Sequence, residues 1–246
     1  MAVARTARLL ATEPLAARGR RLRWELASPD EPFGFVGGQY LIFDTGGVRE
    51  DGRAIKRAYS LVSPDENQRQ VETLVYEVAG GLGSPRLMAL TPGAELSFSG
   101  PWGKFLPEDS QPRTTLLVAS DNGITAALGL LNGRAFRPQL PSAQLIWLCD
   151  PTLAFVSVED LRGALPGGGE RFTHFHLAPP NTAARTAQFP ALRGELLAGS
   201  APDSVFLSGD GALLGSLREA MIAAGWPEHT LRSELFFNNP QKKAAA

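Results

Sequence analysis

The sequence predicts two domains, an antiparallel β-barrel over residues 1–110 and an α/β domain built on a parallel sheet over residues 111–246. Up to about Phe105, short runs of β-favouring residues are split at close intervals by Gly, Pro and Asp, the texture of a barrel or sandwich. Beyond the polar segment Pro107 to Arg113, apolar strands alternate with helices, which argues for a parallel sheet covered on both faces. A chain of 246 residues, 43% of them hydrophobic, can fill both cores at the usual domain size of roughly 100 to 150 residues.

Taken in order, the first 23 residues hold six arginines (Arg5, Arg8, Arg18, Arg20, Arg21, Arg23) against one acid, Glu13, and lack the apolar core of a secretory signal. They are expected to form a basic strand pair that opens the barrel and either meets an acidic partner or is simply solvated. Further strands are expected at Leu22 to Leu26, Tyr40 to Asp44, Tyr59 to Val62, Thr73 to Val78 and Glu95 to Ser99, with one helix at Ser84 to Leu90. In the second half Thr115 to Ala119, Leu145 to Cys149, His174 to Leu177 and Val205 to Ser208 read as strands. The helices there are Ile124 to Leu131, Val158 to Leu165 and Leu213 to Ala224.

A net charge of -1 with 20% charged residues describes an ordinary globular chain. It has no basic, aromatic-interleaved surface for nucleic acid and no apolar run that could span a bilayer. The cytoplasm is the expected location, and a monomer or weak dimer the expected state. The single cysteine, Cys149, excludes an intrachain disulfide and cannot supply an iron-sulfur cluster, which needs about four ligands. Any such cluster belongs to a partner. His174 and His176 would face one side of a strand, but with no third ligand beside them an edge-strand role is expected instead of a metal.

The most informative stretch is Arg57-Ala58-Tyr59-Ser60, followed by Gly81-Leu82-Gly83-Ser84-Pro85-Arg86-Leu87, with Ser84 standing 24 positions after Ser60. A flavin dinucleotide needs a flat wall for its ring, a cation for its diphosphate and backbone N–H groups at a helix start for the same phosphates. Tyr59 would lie against the ring, Arg57 would pair with the diphosphate, and Ser60 would hydrogen-bond near the ring. Gly83 and Ser84 would open the short helix toward the phosphate. The alternative is an ordinary strand with glycine turns, which accounts for each residue but not for their order.

These segments resemble the signature of the ferredoxin-NADP reductase family, R-x-Y-S and then G-x-x-S-x-x-L. Gly38-Gln39-Tyr40 is similar to that family's G-Q-Y strand, and Gly100-Pro101-Trp102-Gly103-Lys104-Phe105 to its closing G-P-x-G-x-F turn. The resemblance implies an FAD-holding barrel and a nucleotide-binding α/β domain. It also implies a flavin contact from the strand before the glycine turn, where Leu74, Tyr76 and Val78 would share a face and any one of them could flank the ring, with Leu82 of the turn also counted among the cofactor-binding residues.

In the second half the resemblance thins. Where the family carries G-T-G-I-A-P, this chain has Ala119-Ser120-Asp121-Asn122-Gly123-Ile124-Thr125-Ala126. Ser120, Asn122, Gly123 and Thr125 would face NADH or NADPH, while Asp121 would repel a diphosphate unless turned outward to cap the helix. Ser208 of Ser208-Gly209-Asp210 stands where the family has the cysteine above the hydride-transfer site. Asp150 follows the second strand, where an acid suits the free ribose hydroxyls of NADH and opposes a 2'-phosphate. Glu234-Leu235-Phe236-Phe237 resembles the closing acidic and aromatic segment that covers the flavin, so Glu234 and Phe236 join Ser208 as candidate catalytic residues.

The function implied is a ferredoxin reductase-type NAD(P)H oxidoreductase passing electrons through FAD to ferredoxin, another iron-sulfur protein or an oxygenase component. The competing expectation, resting on Asp121, Asp150 and Asp210, is a flavoprotein subunit whose second domain has lost dinucleotide binding and serves as an interaction module.

Overall fold

The computed structural model describes residues 5–16, 19–27, 33–78, 80–108, 111, 113–165, 169 and 171–236. The first half contains β1 (Arg5–Leu15), β2 (Gly19–Ala27), β3 (Tyr40–Val48), β4 (Ala54–Ser60), β5 (Gln70–Tyr76), α1 (Ser84–Met88) and β6 (Glu95–Trp102). These strands pair antiparallel in the order β4-β3-β6-β1-β2-β5. The two edges curl toward each other and meet just past β4, where Leu61 bridges Thr73 and the Val62 N–H donates to Glu72 O at 2.9 Å. The expected barrel is thus a six-stranded sheet joined across its edges by this short contact.

Alternation sets which face is inside. Leu22, Trp24 and Leu26 of β2 and Leu41 and Phe43 of β3 are buried while their neighbours are more exposed. Trp24 anchors this interior, its ring 4.7 Å from Phe43 and its indole N–H donating to Thr73 Oγ1 at 3.0 Å. Two strands are displaced from their expected positions: β4 begins at Ala54 instead of Tyr59, and β5 at Gln70 instead of Thr73. Both extensions consist of residues paired across the ladder, such as Lys56 opposite Asp44 and Gln70 opposite Glu25. Each extension holds one buried apolar residue, Ile55 or Val71, among polar and small neighbours, too short an alternation to mark a strand.

The second half runs β7 (Thr115–Ser120), α2 (Ile124–Leu131), β8 (Ala143–Cys149), α3 (Val158–Ala164), β9 (Phe172–His176), α4 (Ala183–Leu196), β10 (Ser204–Asp210), α5 (Gly211–Ala223) and β11 (Leu231–Phe236). Its five strands are all parallel in the order β11-β10-β7-β8-β9. Leu117, Ala119, Leu145 and Trp147 pack to one side of the sheet with α2, and Leu116, Val118, Ile146 and Leu148 to the other with α4 and α5. This double burial explains the unbroken apolar runs of the central strands. From β7 the chain winds outward to β8 and β9, then crosses back to β10 and β11. The switch point therefore lies between β7 and β10, where open α/β sheets place their ligand crevice.

The two halves share one core. Val62, Leu74 and Phe105 of the first pack with Ile124, Ala127, Leu130 and Phe206 of the second, Phe105 meeting Phe206 edge-on at 5.2 Å. Asp65, 2% exposed, accepts from the Gly37 N–H at 3.0 Å and from Arg134 N at 3.0 Å and Nε at 3.2 Å. Gly129 of α2 lies against the first half so closely that a Cβ there would stand 2.2 Å from Leu61 O.

Candidate functional site

On the flavin side the structure brings the two motif segments into contact. The Arg57 side chain lies over Gly83, where a Cβ would stand 2.6 Å from Arg57 Cγ and 3.2 Å from Nε. Arg57 Nη1 donates to Lys56 O at 2.8 Å, which sets the arm along its own strand. Ser84 is buried, and its hydroxyl accepts from the Val78 N–H at 3.0 Å, tying the turn to the end of β5. Among the described residues no side chain caps α1; Pro85 has no N–H to donate, and the Arg86 and Leu87 N–H groups donate to Gly83 O at 3.1 and 3.3 Å. Ser60 is buried beside Tyr59, and Ala58 is exposed.

Tyr59 packs against Phe43 at 6.2 Å, and burial, partly opposed by the Arg57 guanidinium, pushes its phenol up to about 12. It is a neutral, flat wall at any physiological pH. Leu74 is buried in the shared core, and Tyr76 rests on Phe155 of the second half at 6.0 Å. Val78 lies beyond the end of β5 and is exposed, as is Leu82 within the glycine turn.

The β11 strand brings Glu234 opposite Ser208 and Phe236 opposite Asp210, at the carboxyl end of the sheet. Burial raises the Glu234 carboxyl above its ordinary value. Tyr40 of β3 is raised too, first by burial and then by the Glu234 charge. A carboxyl raised on folding is penalised when it ionises, so the fold loses stability as pH climbs from the ordinary 4.5 through the higher folded value. Glu234→Gln is expected to flatten this part of the melting-temperature profile, leaving the variant the more stable above that window. Parallel wild-type and variant profiles would show that the group is not penalised. Phe237 and the tail after it lie outside the described residues.

On the nucleotide side two of the three aspartates, Asp121 and Asp210, meet a residue that sequence reasoning missed. Arg185, only 2% exposed, reaches from the first turn of α4 to Asp121 Oδ2 at 2.5 Å and Asp121 Oδ1 at 3.4 Å. The same guanidinium donates to Ala178 O at 3.2 Å and lies 3.7 Å from Asp210 Oδ2. Asp121 does not cap α2. It sits at φ 47° as a hub, its Oδ1 accepting from the Asp150 N–H at 3.2 Å and its carbonyl from Trp147 Nε1 at 2.9 Å. Asp210 caps α5, accepting from the Ala212 and Leu213 N–H groups at 2.9 and 3.4 Å. Asp150, 2% exposed, holds Thr152 with Oδ1, while its buried Oδ2 has no partner among the described residues.

The hydroxyls of this loop are turned onto the protein. Ser208 Oγ, fully buried, donates to Gly123 O at 2.9 Å, and Ser120 Oγ accepts from the Asp210 N–H at 2.7 Å. Thr125 Oγ1 donates to Asn122 O at 3.0 Å. Gly123 packs on β10 so tightly that a Cβ would stand 2.0 Å from Ser208 O. Cys149 is buried beside them, its thiol pushed up to about 11 chiefly by burial and then by Asp121 and Asp150. It is an inert thiol at neutral pH.

Other candidates resolve as surface chemistry. Three of the N-terminal arginines meet acids, Arg8 to Glu25 at 2.5 Å, Arg23 to Glu72 at 2.9 Å and Arg21 to Glu13 at 3.6 Å, while Arg5 lies over the Phe33 ring and Arg20 donates to Thr12 Oγ1. The rings of His174 and His176 lie 5.2 Å apart on β9, and no cluster of three or more metal-ligating side chains occurs among the described residues.

Residues 6–106 match the family described as the oxidoreductase FAD-binding domain. The chain's first half is thus an FAD-binding domain of the kind found in the ferredoxin-NADP reductase superfamily. The chain is 35% identical over 125 residues to ferredoxin–NADP reductase B of Sorangium cellulosum, a match covering 51% of the chain and 50% of the relative. The chain thus aligns with about half the length of that relative. Phthalate dioxygenase reductase, described as a modular structure for electron transfer from pyridine nucleotides to [2Fe-2S], superposes with a TM-score of 0.73 at 20% identity, covering 97% of this chain and 70% of that one. A ferredoxin-NADP+ reductase from Neisseria gonorrhoeae with bound FAD and NADP superposes with a TM-score of 0.72 at 18% identity, covering 96% of this chain and 100% of that one. At such identities these two establish the shared fold across both halves. Among the described residues no helix is long and apolar enough to cross a membrane.

Proposed function

We propose that this chain is an FAD-dependent NAD(P)H oxidoreductase that passes electrons to a separate iron-sulfur protein or oxygenase component. The observation that carries the reading is the seating of Arg57 over Gly83, which joins the two flavin segments into one cationic cradle that a Cβ would fill. FAD, when bound, supplies the chemistry of accepting two electrons together and releasing them singly. Arg57 would hold the diphosphate, the neutral Tyr59 ring would wall the flavin, and Ser60, Gly83 and Ser84 would complete the cradle. Phe236 would exclude water from the nicotinamide side, and Glu234, with its raised pKa, holds its proton to a higher pH than an ordinary carboxyl. Ser208 would act by fixing Gly123, since hydride transfer needs positioning and not a nucleophile.

For the nicotinamide cofactor, the buried and unpartnered Asp150 Oδ2 supports NADH over NADPH, because a 2'-phosphate beside it adds like charge. Asn122, Gly123 and Thr125 would line the pyrophosphate path. One observation favours the second reading, an interaction module without dinucleotide binding: the Ser120, Thr125 and Ser208 hydroxyls are all engaged within the protein. The deciding experiment is anaerobic stopped-flow mixing with NADH and, separately, NADPH while the flavin absorption is followed. Rapid bleaching supports the reductase, whereas retained flavin with no bleaching by either supports the module.

Loss of the cradle's cation tests the flavin assignment directly. Arg57→Ala is expected to weaken FAD binding by about tenfold or more, the scale of a charge-assisted hydrogen bond. Full flavin occupancy after extensive dialysis of the variant would remove Arg57 from the site.

A further inference from the structure

A second arginine repeats the arrangement of Arg57 in the opposite sense. Arg86 of α1, exposed at its tip, runs across Gly47 of β3, where a Cβ would stand 2.7 Å from Arg86 Nε and 3.1 Å from Cδ. Gly83 and Arg86 are three residues apart at the start of α1 and so lie on one side of it. β3 and β4 are antiparallel neighbours, with Phe43 opposite Arg57. The two arginine stems therefore cross between the same two structural pieces, each in a slot that only a glycine leaves open. The nearest acids of that hairpin are engaged otherwise: Asp44 Oδ1 accepts from the Gly46 N–H at 3.1 Å, and Asp51 faces Arg53 at 3.8 Å. Among the described residues neither Arg57 nor Arg86 has a carboxylate partner.

We infer that Arg86, seated by Gly47, is a second cationic anchor for the flavin diphosphate and makes the site select a dinucleotide flavin over a mononucleotide. The inference rests on the flavin reading above. Two guanidiniums held apart by separate glycine slots match an anion with two phosphates, whereas the single phosphate of FMN is met by Arg57 alone. Arg86 is a cofactor-binding residue in this role, acting on affinity and not on the redox chemistry.

The test is equilibrium dialysis of the full chain against FAD and, separately, FMN, for the wild type, Arg86→Gln and Gly47→Ala. Arg86→Gln is expected to weaken FAD about tenfold and to leave FMN affinity within about twofold, since an exposed guanidinium contributes a moderate charge-assisted bond. Gly47→Ala keeps the arginine but fills its slot, and its Cβ would also stand 2.8 Å from Ile55 Cδ1, so it should reproduce the selective loss with FMN affinity retained, whereas barrel strain would weaken both flavins. Retained FMN affinity in both variants also shows that the barrel is folded. Unchanged FAD affinity in Arg86→Gln, or equal weakening of both flavins, would overturn the inference while leaving the flavin reading intact. A wild type that takes up neither flavin overturns the reading, and this inference with it.

Discussion

Asp121→Gly is expected to destabilise the second half of the molecule by about 3 to 5 kcal/mol, the usual cost of removing one partner from a buried ion pair. From the sequence, the same substitution looks beneficial, because it clears a carboxylate from the expected pyrophosphate path. The structure reverses the sign. Asp121 is the main partner of Arg185, a guanidinium with 2% exposure that would be left with Ala178 O and a more distant Asp210. Glycine does relieve the positive φ of 47° at this position, but that relief is about 1 kcal/mol. The desolvated charge therefore dominates. A fall in melting temperature of about 10 °C or more is the matching observation. Arg185→Met should cost a similar amount, and combining it with Asp121→Asn should cost less than the sum of the two single changes, because the pair is then removed together. Additive effects would show that the two side chains do not act as a unit.

That reversal marks the limit of what the sequence makes legible. The flavin cradle is legible because its parts are residue types that rarely fall in that order by chance: Arg57, Tyr59 and Ser60 on a strand, then Gly83 and Ser84 before a helix. The structure seats the first segment on the second. The central parallel strands are legible too, since burial on both faces writes them as continuous apolar runs. Helix α4 is not among the expected elements. Its sequence, AARTAQFPALRGEL, carries Pro190 inside and buries only Arg185, Leu192 and Leu196, so it lacks a clear apolar stripe. Its start is nevertheless signalled by Thr182, whose hydroxyl accepts from the Arg185 N–H at 3.2 Å. A further signal is electrostatic. Aspartates following β7 and β8 and ending β10 gather at one edge of a sheet and need a cation among them, although the sequence does not say which arginine supplies it. With Arg185 in place, Asp121 and Asp210 no longer argue for a nucleotide site that repels its ligand.

The junction between the halves rests on a residue that the sequence does not mark at all. Asp65→Ala is expected to cost about 2 to 5 kcal/mol, because it strips the acceptor from two backbone N–H groups, Gly37 and Arg134, that come from opposite halves. The Arg134 guanidinium, with a side chain 59% exposed, adds little to that sum. Asp65→Asn keeps one acceptor oxygen but turns an NH2 toward a donor, so an intermediate loss is expected. The effect should exceed simple destabilisation, since the shared core of Leu74, Phe105, Ile124 and Phe206 lies beside this bond set and the halves otherwise have separate sheets. Calorimetry should therefore show one transition in the wild type and two partly separated ones in Asp65→Ala. A single transition at an unchanged temperature would mean that apolar contact alone couples the halves. Because the proposed flavin cradle and the proposed nicotinamide-side residues Glu234 and Phe236 belong to different halves, the same variant should lose NADH-driven flavin bleaching faster on warming than it loses bound flavin.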